Sequence, residues 1–219
     1  VSTEKHRSVV AELDKRAGRT YADEAGITLR DTPVPLFELL VLSMLLSARI
    51  SAEIAVGTAR ELFDAGLRNP KAVLDADRST IIAALGRGHY ARYDESTATR
   101  LNEGSQLLID TYNGDLRNLA SEADGDTHKA HRLLQEFKGI GPVGADIFLR
   151  EVQDVWPWVA PFYDSKSIDS AKDLGLPENP LQLADLAPGS NATFAASLIR
   201  ASLDNELVNL GLTRGDSST

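Results

Sequence analysis

Cysteine is missing from all 219 residues, which excludes disulfides, thiolate zinc sites, cysteine-ligated iron–sulfur clusters and a cysteine nucleophile. Long apolar runs are missing too. The most hydrophobic stretch, Val34 to Ile50, is interrupted by Glu38 and falls short of the ~20 residues that a membrane span needs. It reads as a buried helix, and no membrane partner is expected. Basic charge is scarce, with 23 Lys and Arg against 32 Asp and Glu for a net charge of −9. That balance counts against bulk attraction to nucleic acid or anionic lipid, yet it leaves room for a local basic groove. Aromatics make up only 6% of the chain. The segment VSTEKHRSVVAELDKRAG is amphipathic and charged, with no apolar core before a small-residue cleavage site. The expectation is a cytoplasmic protein of bacterial type that works at the nucleoid.

What is present is an ordinary globular composition, 42% hydrophobic and 25% charged, in a chain long enough for one or two cored domains. The 3.6-residue period recurs and the 2-residue period hardly appears, so the fold class is all-α. Residues 4 to 17 pattern as a helix ended by Gly18, and the polar stretch leading to Pro33 and Pro35 reads as a linker. From Pro35 to Arg49 the chain is apolar almost all round, as a helix surrounded by protein would be. Further helices are predicted at 52–65, 71–76, 78–85, 94–112, 115–123 and 127–136. Asn113-Gly114 supplies a C-cap for the longest.

The segment richest in chemistry is Phe137-Lys138-Gly139-Ile140-Gly141-Pro142-Val143-Gly144-Ala145-Asp146. Two glycines at i and i+2 allow a tight hairpin, and Pro142 suits the first position of the next helix. That helix start carries unpaired N–H groups that can hold a backbone phosphate. Spacing alone fits equally a pair of glycines that merely cap one helix and turn into the next.

Around this segment stands an ordered set: Leu45-Leu46-Ser47-Ala48-Arg49, Gly88-His89-Tyr90, Tyr112-Asn113-Gly114-Asp115-Leu116, the hairpin itself, and Pro161-Phe162-Tyr163-Asp164. Together, over residues 34 to 175, these resemble the endonuclease III-like DNA glycosylases of the helix-hairpin-helix superfamily with a Gly/Pro-rich loop followed by an essential Asp. The resemblance implies a two-domain helical fold with a DNA-binding cleft. One domain would be six helices over 34–163, and the other would combine 1–33 with 164–219. It implies base excision from double-stranded DNA holding a damaged base or an abasic site, by a monomer.

Residue by residue, the resemblance places Asp164 at the catalytic carboxylate, after a loop about two residues longer than usual, with Asp169 as the fallback. Asp164 also reads as the N-cap of the helix that follows. Bifunctional relatives carry a Schiff-base lysine where this chain has Val143, which implies a monofunctional enzyme unless Lys138 or Lys166 substitutes. Relatives with an iron–sulfur cluster hold it by four cysteines, so no cluster is expected; a monovalent cation at the hairpin stays open. The implied DNA contacts are Lys138, Gly139, Ile140, Gly141, Val143 and Gly144 at the hairpin, Arg49 as void filler, His89 as wedge, and Arg92 and Lys166 with Arg87 along a basic rim. A helix-hairpin-helix protein that binds such DNA without catalysis is the alternative. No metal site is expected: His128 and His131 read as solvent-exposed, and Glu151 and Asp154 as ordinary polar-face residues.

Overall fold

In the computed structural model, which describes residues 3–90, 93–204 and 206–207, thirteen α-helices and no strand are found among the described residues. α1 (Thr3–Ala17) buries Val9, Val10, Leu13 and Ala17, one stripe of a helix otherwise polar. α2 (Tyr21–Glu24) is a single turn capped by Thr20, whose side chain accepts from the Asp23 N–H. It falls where the local sequence reads as a linker. A distant residue holds it there, since the Glu151 carboxylate accepts from the backbone N–H groups of Tyr21 (3.3 Å) and Ala22 (2.9 Å).

α3 (Pro33–Leu46) opens with Pro at its first turn and buries every residue from Leu36 to Leu45. It is the central helix that an all-round apolar pattern predicts, and truncating one of its leucines to Ala would cost about 2–5 kcal/mol. α4 (Ala52–Asp64) packs directly on it, α6 (Arg78–Arg87) packs on α4 and on α7 (Asp94–Tyr112), and α5 (Pro70–Asp75) packs on α7. The end of α7 is closed by Asn113 in the left-handed region at φ 54. α8 (Leu116–Ala123) and α9 (Thr127–Leu134) lead into the hairpin, after which come α10 (Pro142–Val152), α11 (Ser165–Asp173), α12 (Pro180–Leu186) and α13 (Asn191–Ala201).

Two apolar cores result. The larger runs from Tyr21 to Val159 around α3, and includes Ile199 of α13. The smaller joins Val9, Val10, Leu13 and Ala17 of α1 to Tyr163, Ala171, Leu174, Phe194 and Leu198 from the far end of the chain. α10 packs on α3 on one side and on α13 on the other, so it lies along the seam where the cores meet. None of the helices is long and apolar enough to cross a membrane, among the described residues.

Candidate functional site

The hairpin rests on two buried anchors. Phe137 stacks on Tyr112 with ring centroids 6.2 Å apart, and Ile140 is buried beneath the turn. The two hairpin glycines serve different ends. Gly139 has φ +92, and a Cβ there would meet Arg100 Cδ at 3.0 Å and Met44 Sδ at 3.2 Å, so both conformation and space demand glycine. Gly141 has φ −96 and ψ −170, open to most residues, and a Cβ there would meet nothing. It is the N-cap of α10 with no side-chain capping bond, and Pro142 follows at the first turn. The next N–H groups therefore face outward without an intrahelical partner. They open on a hollow of about 880 Å³ lined by the hairpin with Ser47, Ser96, Arg100, Glu103 and Lys138.

Behind the hairpin, at the seam, lies a smaller cavity of about 380 Å³. Ser47, Ala48 and Val143 line both spaces, so the two adjoin. Asp164 is on the wall of this cavity with its side chain 5% exposed. It caps α11: Oδ1 accepts from the Ser167 N–H (2.8 Å) and hydroxyl (2.9 Å), and Oδ2 accepts from Arg150 Nη1. Arg150 comes from α10, lines the same cavity and is 4% exposed along its side chain, with an Nε that finds no partner. An orphaned buried donor is costly.

Asp146, one turn before Arg150 on α10, adds a second carboxylate to the wall. His131 Nε2 stands 3.1 Å from Asp146 Oδ1, while Gln135 Nε2 lies 3.0 Å from His131 Nδ1. Burial pushes the Asp146 carboxyl up, and the negative charge of Asp164 adds to this, while His131 and Arg150 oppose it. Lys166 and Val143 also reach the cavity, Lys166 exposed and Val143 60% exposed. Asp169 is exposed on α11.

The remaining sequence candidates lie further out. The turn after α3 brings Ala48 and Ile50 to the cavity and leaves Arg49 exposed. His89 is exposed in the left-handed region at φ 63, on a hollow of about 960 Å³ with Arg19, Arg60, Arg87 and Arg200. This hollow shares Tyr21 and Ala52 with the Asp164 cavity. Three neighbouring hollows thus follow one another from the hairpin past Asp164 to His89. Gly88 precedes His89 with an ordinary φ of −75, and its own reason to be glycine is packing: a Cβ would sit 2.4 Å from the Thr58 backbone. Arg92 lies outside the described residues. No group of three or more His, Asp or Glu is placed to hold a metal ion among the described residues.

No protein-family model and no curated protein sequence matches the chain. Solved structures do. A trapped covalent intermediate of endonuclease III with DNA, an estranged-adenine complex, aligns at TM-score 0.53 and 17% identity, over 91% of this chain and 85% of that one. A non-covalent endonuclease III–DNA complex aligns at TM-score 0.52 and 15% identity, over 100% and 90%. The chain has the helical fold of endonuclease III. Coverage of this extent takes in both cores and the seam, so the likeness is one of whole architecture rather than of a hairpin alone.

Within that fold, sequence reading missed three side chains. Arg150 gave no local signal, because its partner is fourteen residues away in a loop. Glu151 is 1% exposed rather than on a polar face, since its carboxylate caps the distant α2. Burial pushes its carboxyl up, with Arg150 opposing. His131 is half-buried against α10 rather than solvent-exposed, because α9 folds back on α10 and presents it to Asp146. One hint was available: Arg150-Glu151 is a charged pair inside an otherwise apolar helix face.

Proposed function

We propose that the chain is a DNA glycosylase that flips a damaged or mismatched base into the Asp164 cavity and hydrolyses its bond to the sugar. The carrying observation is the placement of Asp164: a carboxylate on the wall of a closed-in cavity, directly behind a hairpin with an uncapped helix start, in a fold that endonuclease III uses on DNA. A cavity of about 380 Å³ lies within the range of small-molecule sites. As the base departs, the deoxyribose gains oxocarbenium character, and a fixed negative charge beside it lowers the barrier. Arg150 and Ser167 hold Asp164 in one orientation, so that charge needs no rearrangement. The hairpin backbone and Lys138 would take phosphates on either side of the flipped nucleotide. Arg49 and His89 would stand toward the gap left in the stack.

Water is the nucleophile in this reading, since Val143, at the lyase position, has no amine. One observation favours a second reading: Lys166 lines the same cavity. Its exposure counts against it, because a Schiff-base lysine works from a desolvated setting. Borohydride trapping on an abasic duplex separates the two, and no covalent adduct is expected.

The function itself is tested by single-turnover base release from duplexes that each hold one lesion, with half of every sample treated with hot alkali. The expected result is one lesion giving alkali-dependent strand cleavage, slowed about 10²-fold or more in Asp164→Asn. Asn still caps α11 but leaves the buried Arg150 without its carboxylate, so thermal denaturation of the variant accompanies the rate measurement. An intact panel combined with binding to an abasic duplex would instead establish a non-catalytic binder of damaged DNA.

A further inference from the structure

We propose that Asp146, oriented by His131, is the proton acceptor for the attacking water, and that Asp164 acts as a fixed charge rather than as the base. The inference rests on the glycosylase reading and divides the labour within its site.

The division follows from what each carboxylate is already doing. Asp164 accepts three hydrogen bonds, two from Ser167 and one from Arg150, so most of its acceptor capacity is already taken in the free protein. Such a group keeps its charge and orientation but is a poor proton acceptor. Asp146 Oδ1 stands 3.1 Å from His131 Nε2, which also faces the Pro142 carbonyl at 3.3 Å, and no hydrogen bond to Asp146 Oδ2 is found among the described residues. Its side chain is 31% exposed and lines the same cavity, so a water can reach it. The amide of Gln135 donates to His131 Nδ1, which puts the ring proton on Nε2, between the Pro142 carbonyl and Asp146.

The step balances as follows. The bond from C1′ to the base nitrogen breaks and its electron pair leaves with the base. A water oxygen bonds to C1′, and Asp146 Oδ2 takes the proton that water loses. The departing base collects a proton from solvent, and Asp146 later returns its own, so the net change is addition of one water. The charged groups that bear on Asp146 are His131 on α9, Arg150 on α10 and Asp164 at the start of α11, and Lys166 of α11 lines the same cavity. Burial and Asp164 together raise the proton affinity of Asp146, which suits an acceptor.

The test uses the full chain on the lesion duplex that the wild type cleaves, with single-turnover rates over about pH 5 to 8 and abasic-duplex affinity measured beside them. Asp146→Asn is expected to lose about 10²- to 10⁴-fold in rate and the acid limb of the profile, with abasic affinity retained. Asp146→Glu, which restores a carboxyl, recovers part of the rate. His131→Asn removes a group that lowers the Asp146 carboxyl, so the acid limb moves to higher pH. A merely structural role for His131 would leave that limb in place. The proposal is overturned if Asp146→Asn keeps the wild-type rate and profile while Asp164→Asn is dead. It is also overturned if rate and abasic affinity fall in the same proportion. Absence of base release from every lesion by the wild type removes the glycosylase reading, and this inference with it.

Discussion

The two apolar cores and the seam between them follow opposite rules. Around α3, ten consecutive residues are buried and the only charge among them is Glu38, balanced by Arg68 at 3.1 Å. Along α10, by contrast, Arg150 and Glu151 are adjacent and both buried, and Asp164 closes on Arg150 from the far side. A core gains by excluding charge, whereas the seam keeps charge dry, where each interaction counts for more and each unpaired group costs more. Stability is thus held mainly by the cores, and the seam is where the proposed chemistry would sit.

Removing Arg150 is the strongest way to break that comparison. Arg150→Ala would leave Asp164 and Glu151 buried without their cation, and a loss of about 3–5 kcal/mol in urea unfolding is expected. A loss as small as that of an exposed pair such as Arg78–Glu95 would show the seam to be wetter than its geometry. Next in size is the hairpin. Gly139→Ala should cost about 1–3 kcal/mol through backbone strain and crowding, while Gly141→Ala should stay within about 0.5 kcal/mol. Thermal denaturation of both variants checks whether only one glycine is structural. His89→Gly should stabilise the fold slightly, by about 0.5 kcal/mol, as relief of the left-handed conformation exceeds the added entropy of glycine. If His89 serves the groove, base release should fall in the same variant, and a parallel gain in both would detach it from function. The smallest effect concerns Glu38 inside the larger core. Burial raises its carboxyl above the ordinary 4.5, with Arg68 opposing. Its contribution therefore favours the fold at low pH and is lost as pH rises through the raised value. Glu38→Gln should flatten that decline, read as urea midpoints between about pH 4 and 7.

The architecture was legible because most helices here announce themselves. α3 is apolar all round, α7 ends on Asn113-Gly114, and Pro142 opens α10 after its glycines. Failures came where a partner far along the chain decides the outcome. α2 exists because Glu151 caps it across 130 residues, and no period or spacing in the segment itself encodes that bond. The candidate site divides the same way. Asp164 could be found from its neighbours and its capping position, and the structure brings it together with Val143 and Lys166 in one cavity. Arg150, Asp146 and His131 could not, because tertiary packing of α9 and α13 on α10 makes them what they are. Gly88 shows a subtler limit: glycine was visible, but close approach to Thr58 requires it, and the left-handed residue is its neighbour His89.

The smaller core has a consequence for the order of assembly. Its α1 stripe, Val9 to Ala17, meets partners that begin at Tyr163 and extend to Leu207, so it closes the longest loop in the molecule. The larger core draws almost wholly on one continuous stretch, from Tyr21 to Val159, and its contacts are cheaper in chain entropy. During synthesis the larger core can therefore condense first, with the apolar stripe of α1 waiting for the last helices to emerge. The Asp164 cavity takes Ile199 and Leu203 from that last segment, so a partly folded chain carries the hairpin without a complete cavity behind it.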